Sequence, residues 1–149
     1  MIKILFVCHG NICRSPMAEF IFRRMAGDSA LAASAATSSE EIGNPVYPPA
    51  ARTLAAHGIP CGGHRARRMT REDYGRYDLL IGMEAYNLRN MLRITGGDPE
   101  GKMRLLLDFT DAPGDIEDPW YTGRFEEVYR QISAGCEGLL KRLREEGRA

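Results

Sequence analysis

The chain opens on Ile2-Lys3-Ile4-Leu5-Phe6-Val7, a short run of branched and aromatic side chains that stops at a glycine-containing turn. That pattern predicts a buried strand. Past the turn, Ser15-Pro16 reads as a helix start, with serine as the cap and proline at the first helical position. Met17, Phe20, Ile21 and Met25 then recur at helical spacing on one face. Residues 31–36 predict an alanine-rich strand, and Gly43-Asn44-Pro45 with Pro48-Pro49 marks an irregular loop before a helix near residues 50–57.

The second half repeats the alternation. Residues 78–83 predict another buried strand, residues 84–93 a helix and residues 103–107 a fourth strand. Residues 108–121 hold several acids, two prolines and a glycine, the composition of a long loop, and long structureless loops in compact domains are usually functional. Phe125, Val128, Tyr129, Ile132, Cys136, Leu139, Leu140 and Leu143 form one apolar stripe of a final helix. Strand and helix in alternation predict an α/β fold. The expected architecture is a single domain over residues 1–149, a doubly wound parallel sheet of about four strands with helices on both faces. Ligands of such sheets bind beyond the carboxyl ends of the strands, so the turn after the first strand is the expected site, a phosphate loop. No repeat, low-complexity tract or linker interrupts the pattern.

Charge narrows the ligand. Lys plus Arg and Asp plus Glu stand at 20 each, so no global field favours nucleic acid or an anionic membrane, and any anion site must be local. No stretch approaches the roughly 20 apolar residues of a membrane-spanning helix, and Ile2 to Val7 is too short for a signal-peptide core. A cytoplasmic location is expected. The four cysteines, Cys8, Cys13, Cys61 and Cys136, then read as thiols, and none forms a Cys-x-x-Cys pair suited to zinc. No metal or other cofactor is expected.

The turn reads Cys8-His9-Gly10-Asn11-Ile12-Cys13-Arg14-Ser15. A loop between a strand and a helix N-terminus turns successive backbone N–H groups into one concavity, and the helix dipole adds positive charge there. Gly10 and Asn11 readily take the left-handed conformations that such a cradle needs, and Arg14 can add a planar bidentate grip on phosphate oxygens. Cys8 lies at the base. What binds a phosphate dianion also favours thiolate over thiol, and Ser15 is placed to donate a hydrogen bond to that thiolate. An in-line attack would form a phosphocysteine intermediate. Departure of the ester oxygen then needs a proton donor, for which the acidic loop offers Asp108, Asp111, Asp115, Glu117 and Asp118 without distinguishing them.

Cys-x5-Arg followed by Ser resembles the signature of the low-molecular-weight protein tyrosine phosphatases, and the likeness runs from Val7 to Glu19 almost throughout. Ser34-Ala35-Ala36-Thr37, Gly43-Asn44-Pro45, Gly63-His64-Arg65-Ala66-Arg67 and Glu117-Asp118-Pro119-Trp120-Tyr121 are similar to later family segments in the family's order. The resemblance implies hydrolysis of phosphotyrosine on proteins and of small aryl phosphates, with tyrosine-phosphorylated proteins as partners. It selects Asp118 as general acid, later base, because Asp118-Pro119-Trp120-Tyr121 matches the catalytic loop. Trp120 and Tyr121 become walls of the cleft. His9, Gly10, Asn11, Ile12, Cys13 and Ser15 join the substrate-binding loop, while Asn11, Ser15, Ser34 and His64 form the network holding it. It also makes Cys13 a partner for a reversible disulfide with Cys8. Cys136 lies on the apolar stripe and reads as buried, and Arg65, Arg67 and Arg68 read as solvated rather than substrate-binding. Glu40 stands where family members often carry an aromatic cleft wall, and with His9 at the rim it bears on substrate preference.

Other readings share the scaffold. Protein arginine phosphatases look to carry threonine where this chain has the apolar Ile12. Arsenate reductases need further cysteines near the third strand, where Ile81-Gly82-Met83 offers none. A phosphate-binding module without turnover would be expected to have lost Cys8, Arg14 or Asp118, all present. Oligomeric state is left open.

Overall fold

A computed structural model describes residues 1–149. Four parallel strands, β1 (Ile2–Cys8), β2 (Ala30–Ala36), β3 (Leu79–Gly82) and β4 (Met103–Leu105), form one sheet in the order β2-β1-β3-β4. Between and after them run α1 (Arg14–Ala26), α2 (Pro48–Ala56), α3 (Asp73–Arg76), α4 (Ala85–Thr95), α5 (Pro119–Thr122) and α6 (Phe125–Glu145). The period-two alternation of β1 explains why both sheet faces are covered. Ile2, Ile4, Phe6 and Cys8 point into the larger core with residues of α1, α2 and α6, whereas Leu5 and Val7 point to the other face with Met69 and with Met91 of α4. Such a strand must read as a continuous apolar run.

The chain leaves β1 in one direction to make β2 and crosses to the other side of β1 to make β3. That reversal opens a crevice at the carboxyl ends of β1 and β3. Pairing continues past the strand ends there, since Thr37 N–H donates to Cys8 O at 3.0 Å and Ser38 N–H to His9 O at 3.0 Å.

Three expectations shift. The fourth strand stops at Leu105 because Leu106–Phe109 turns into a 3-10 helix, with Asp108 accepting from Leu105 N–H at 3.0 Å. The loop predicted over residues 108–121 is accordingly shorter, closed at its far end by the helical turn of α5. Asp73–Arg76 is an additional short helix, seeded by an Asp73 that is fully buried.

The long helix α6 packs against that 3-10 segment through two glycines. A Cβ on Gly135 would lie 2.5 Å from Leu106 Cγ, and one on Gly138 would overlap the Phe109 carbonyl oxygen. The close approach therefore depends on the absence of side chains at these two positions.

Candidate active site

β1 delivers Cys8 to the sheet edge, and residues 9–13 return the chain into α1 at Arg14. Here the expected helix cap is corrected. The helix begins one residue before Ser15, Cys13 precedes it with no side-chain cap, and Pro16 is the third helical residue, where a missing N–H costs no intrahelical bond. Ser15 is occupied elsewhere: its Oγ lies 3.0 Å from Cys8 Sγ and its backbone N–H donates to the same sulfur at 3.4 Å.

The direction of the Ser15 hydroxyl follows from its neighbours. Arg67 N–H donates to Asn11 Oδ1 at 3.1 Å, which fixes the orientation of the Asn11 amide. Asn11 Nδ2 then donates to Ser15 Oγ at 2.8 Å and to Ser34 Oγ at 2.9 Å, and the Ser34 hydroxyl donates to Glu19 Oε1 at 2.6 Å. With its oxygen accepting from Asn11, Ser15 has its proton for either the Ala35 carbonyl at 3.5 Å or the Cys8 sulfur at 3.0 Å, and a thiolate, which can only accept, would draw it to Cys8. His64 completes the support by donating from Nε2 to Asn11 O at 2.7 Å, a carbonyl being able only to accept. Asn11 is the one non-glycine residue with positive φ, at 60°. Four groups thus hold in place the left-handed turn that curves the loop.

Arg14 is only 2% exposed. Its guanidinium donates to Glu84 Oε2 at 2.8 Å and to Ile116 O at 3.0 Å, and it lies 3.4 Å from Asp118 Oδ2. Burial alone would lower its pKa, but Cys8, Asp118 and Glu84 more than offset this and hold it above the ordinary value. Cys13, also buried, goes the opposite way: burial, then the neighbouring Cys8 and Asp118, push its thiol well up. Cys13 therefore stays protonated beside Cys8.

Geometry also separates the five acids of the loop. Asp108 caps the 3-10 turn, Asp115 accepts from Ala85 N–H at 2.9 Å, and Glu117 is taken by Arg124 at 2.5 and 2.8 Å. Asp111 lies on the exposed tip of the loop. Asp118 alone reaches Arg14, its other oxygen accepting from Trp120 N–H at 3.0 Å. The cavity so formed is lined by Cys8, His9, Gly10, Ile12, Cys13 and Arg14 of the loop, by Glu40 and Glu41, and by Asp118, Trp120 and Tyr121. Tyr47 backs Trp120 at a ring-centroid distance of 4.6 Å.

The structure thus gathers Cys8, His9, Gly10, Ile12, Cys13, Arg14, Glu40, Asp118, Trp120 and Tyr121 around one cavity, with Asn11, Ser15, Ser34 and His64 behind the loop, and leaves the other four acids outside it. Glu84, Glu19, Glu41 and Tyr47 were missed. Glu84 had a signal, since it follows β3 at the carboxyl edge where ligands bind, and Glu19 lies on α1 at the end of the quoted motif; Glu41 and Tyr47 lie in segments whose approach to the loop is set by tertiary packing. Cys136 is fully buried, with its thiol 3.8 Å from Ala18 O, and Cys61 is partly buried. Arg65 and Arg68 are exposed, but Arg67 corrects the solvated reading. It clamps buried Asp73 through two bonds of 3.0 and 3.1 Å. Arg67→Met strands that carboxylate and is expected to cost about 2 kcal/mol in urea unfolding, whereas Arg65→Met should change stability by less than about 0.5 kcal/mol. No three His, Cys, Asp or Glu side chains converge as a metal-ligand group.

Comparisons with known proteins agree with this geometry. The profile of the low molecular weight phosphotyrosine protein phosphatase family matches residues 3–149. The low molecular weight protein-tyrosine-phosphatase YfkJ of Bacillus subtilis is 40% identical, with 98% of each chain covered. The human low molecular weight phosphotyrosine protein phosphatase is 39% identical, with 94% of each covered. The crystal structure of YfkJ superposes with a TM-score of 0.94 at 39% identity, covering 98% of this chain and 96% of that one. With sequence and fold matched over nearly its full length, the chain belongs to the low molecular weight phosphotyrosine protein phosphatase family.

Proposed function

We propose that this chain, acting as one domain over residues 1–149, hydrolyses phosphotyrosine on proteins, and small aryl phosphates, through a phosphocysteine intermediate on Cys8. The observation that carries this reading is the approach of Asp118 to Arg14, 3.4 Å apart, which sets an acid and an anion clamp in the cavity that holds the Cys8 thiol.

Phosphate oxygens would be held by Arg14 and the loop N–H groups, with the phosphorus over Cys8 Sγ. The thiolate attacks phosphorus as the bond to the tyrosine oxygen breaks, and Asp118 gives that oxygen its proton. Asp118, now a carboxylate, takes a proton from water as the water oxygen attacks phosphorus. The S–P bond breaks, and inorganic phosphate leaves with the thiolate restored. Ser15 supports that thiolate in both steps; Asn11, Ser34 and His64 keep the loop curved around the anion. Trp120 and Tyr121 flank the aryl ring. Four free thiols accord with a cytoplasmic setting. No helix is long and apolar enough to cross a membrane.

The test is turnover of p-nitrophenyl phosphate and a phosphotyrosine peptide with a chelator present. Wild type is expected to turn over both, and Asp118→Asn to lower kcat about a hundredfold, at the lower end of what general acid-base catalysis supplies. A well-folded wild type inert towards both substrates would sink the proposal.

A further inference from the structure

Two segments beyond the phosphate loop complete the lining of the cavity, and they differ in kind. One is aromatic, Trp120 and Tyr121; the other carries Glu40 and Glu41. Neither glutamate is paired with lysine or arginine. Glu40 meets only the His9 ring, at 3.1 Å, and Glu41 accepts from the Asn44 amide at 2.6 Å. Glu117, by contrast, is neutralised by Arg124, and Glu84 by Arg14. Nor is the acidic segment a loose loop. The strand-like bonds from Thr37 and Ser38 to Cys8 and His9 tie its start to the phosphate loop, and Glu41 packs over Gly10.

Two carboxylates at the mouth of an anion-binding cavity oppose the approach of a bare phosphate dianion. A cation carried beside the phosphate turns that opposition into attraction. We infer that Glu40 and Glu41 are specificity-determining residues that select phosphotyrosines flanked by lysine or arginine and disfavour those flanked by acids. The inference rests on the phosphatase reading above. With the phosphate on the loop and the ring against Trp120 and Tyr121, the glutamates would be left to meet the residues flanking the tyrosine. Recognition of this type is made on binding and acts alike on ground and transition states.

Two phosphotyrosine peptides test it, one with lysine on both sides of the tyrosine and a twin with glutamate there. Wild type is expected to favour the lysine peptide about tenfold in kcat/KM at low salt, the size that a few exposed charge pairs produce. The difference should lie in KM and shrink in high salt as screening sets in. The Glu40→Gln/Glu41→Gln double variant should bring the ratio close to one, and Glu40→Lys/Glu41→Lys should invert it. Equal kcat/KM for the twins in wild type, or a preference that survives the double substitution, overturns the inference and leaves the phosphatase reading standing. Failure of wild type on both peptides and on p-nitrophenyl phosphate overturns both.

Discussion

Cys8→Ser is expected to lower turnover of p-nitrophenyl phosphate by about 10⁴-fold or more while leaving the protein folded. A hydroxyl ionises far less readily than a thiol and is a much weaker nucleophile without an adjacent base, and the partner at this position, Ser15 Oγ, is itself a hydroxyl rather than a base. The nearest substitute cannot step in, because burial, with Cys8 and Asp118 adding to it, keeps the Cys13 thiol protonated. The exchange of sulfur for oxygen is small in volume at a site only 3% exposed, so the cradle around Arg14 should survive. Calorimetric titration with inorganic phosphate is therefore expected to give an affinity within a few fold of wild type. Activity of Cys8→Ser above a tenth of wild type would rule out Cys8 as nucleophile. Lost activity together with lost phosphate binding would show a collapsed loop instead.

Gly138→Ala should destabilise the protein by about 3 kcal/mol, the upper part of the range for overpacking a well-filled interface. The sign is the opposite of what a helix interior normally gives, since glycine to alanine there stabilises by about 1 kcal/mol. It reverses because the new methyl group would overlap the Phe109 carbonyl oxygen, a backbone atom that no rotamer change can move aside. Gly75 in α3 serves as the control, because a methyl group added there would meet nothing within 4 Å; Gly75→Ala should be neutral or slightly stabilising. Urea unfolding midpoints of the two variants check the contrast. A Gly138→Ala protein as stable as wild type would mean that α6 and the Leu106–Phe109 turn are not pressed together as described.

Those glycines also mark where sequence reading runs out. The apolar stripe of α6 identified the buried face correctly, because hydrophobic spacing reports which side of a helix is covered. It could not report how closely the covering segment approaches, which depends on an element far back in the chain and so has no local signature. The same division runs through the site. Cys8, the loop and Arg14 were legible because strand, turn and helix are consecutive there. Asp118 needed the family likeness, since five acids in one loop look alike until packing assigns Asp108, Asp115 and Glu117 to other partners. Ser15 was misread as a cap because a serine before proline satisfies the local rule; its hydroxyl is held instead by Cys8, as the chemistry of the loop predicted, and by Asn11. Arg67 was misread as solvated because the buried Asp73 that it clamps lies in a helical turn too short to leave a periodic pattern.

The reach of Arg14 has a consequence for synthesis. Its partners stand 70 and 102 positions further along the chain, at Glu84 and Ile116. A ribosome therefore releases the whole nucleophile motif long before the residues that hold its arginine exist. A nascent chain ending before Ile116 carries the recognisable signature but no seated clamp, and domains of this size gain their contacts together rather than piecemeal. Dephosphorylating power would then arrive in one step, late in translation, so truncated products would carry the signature without the activity.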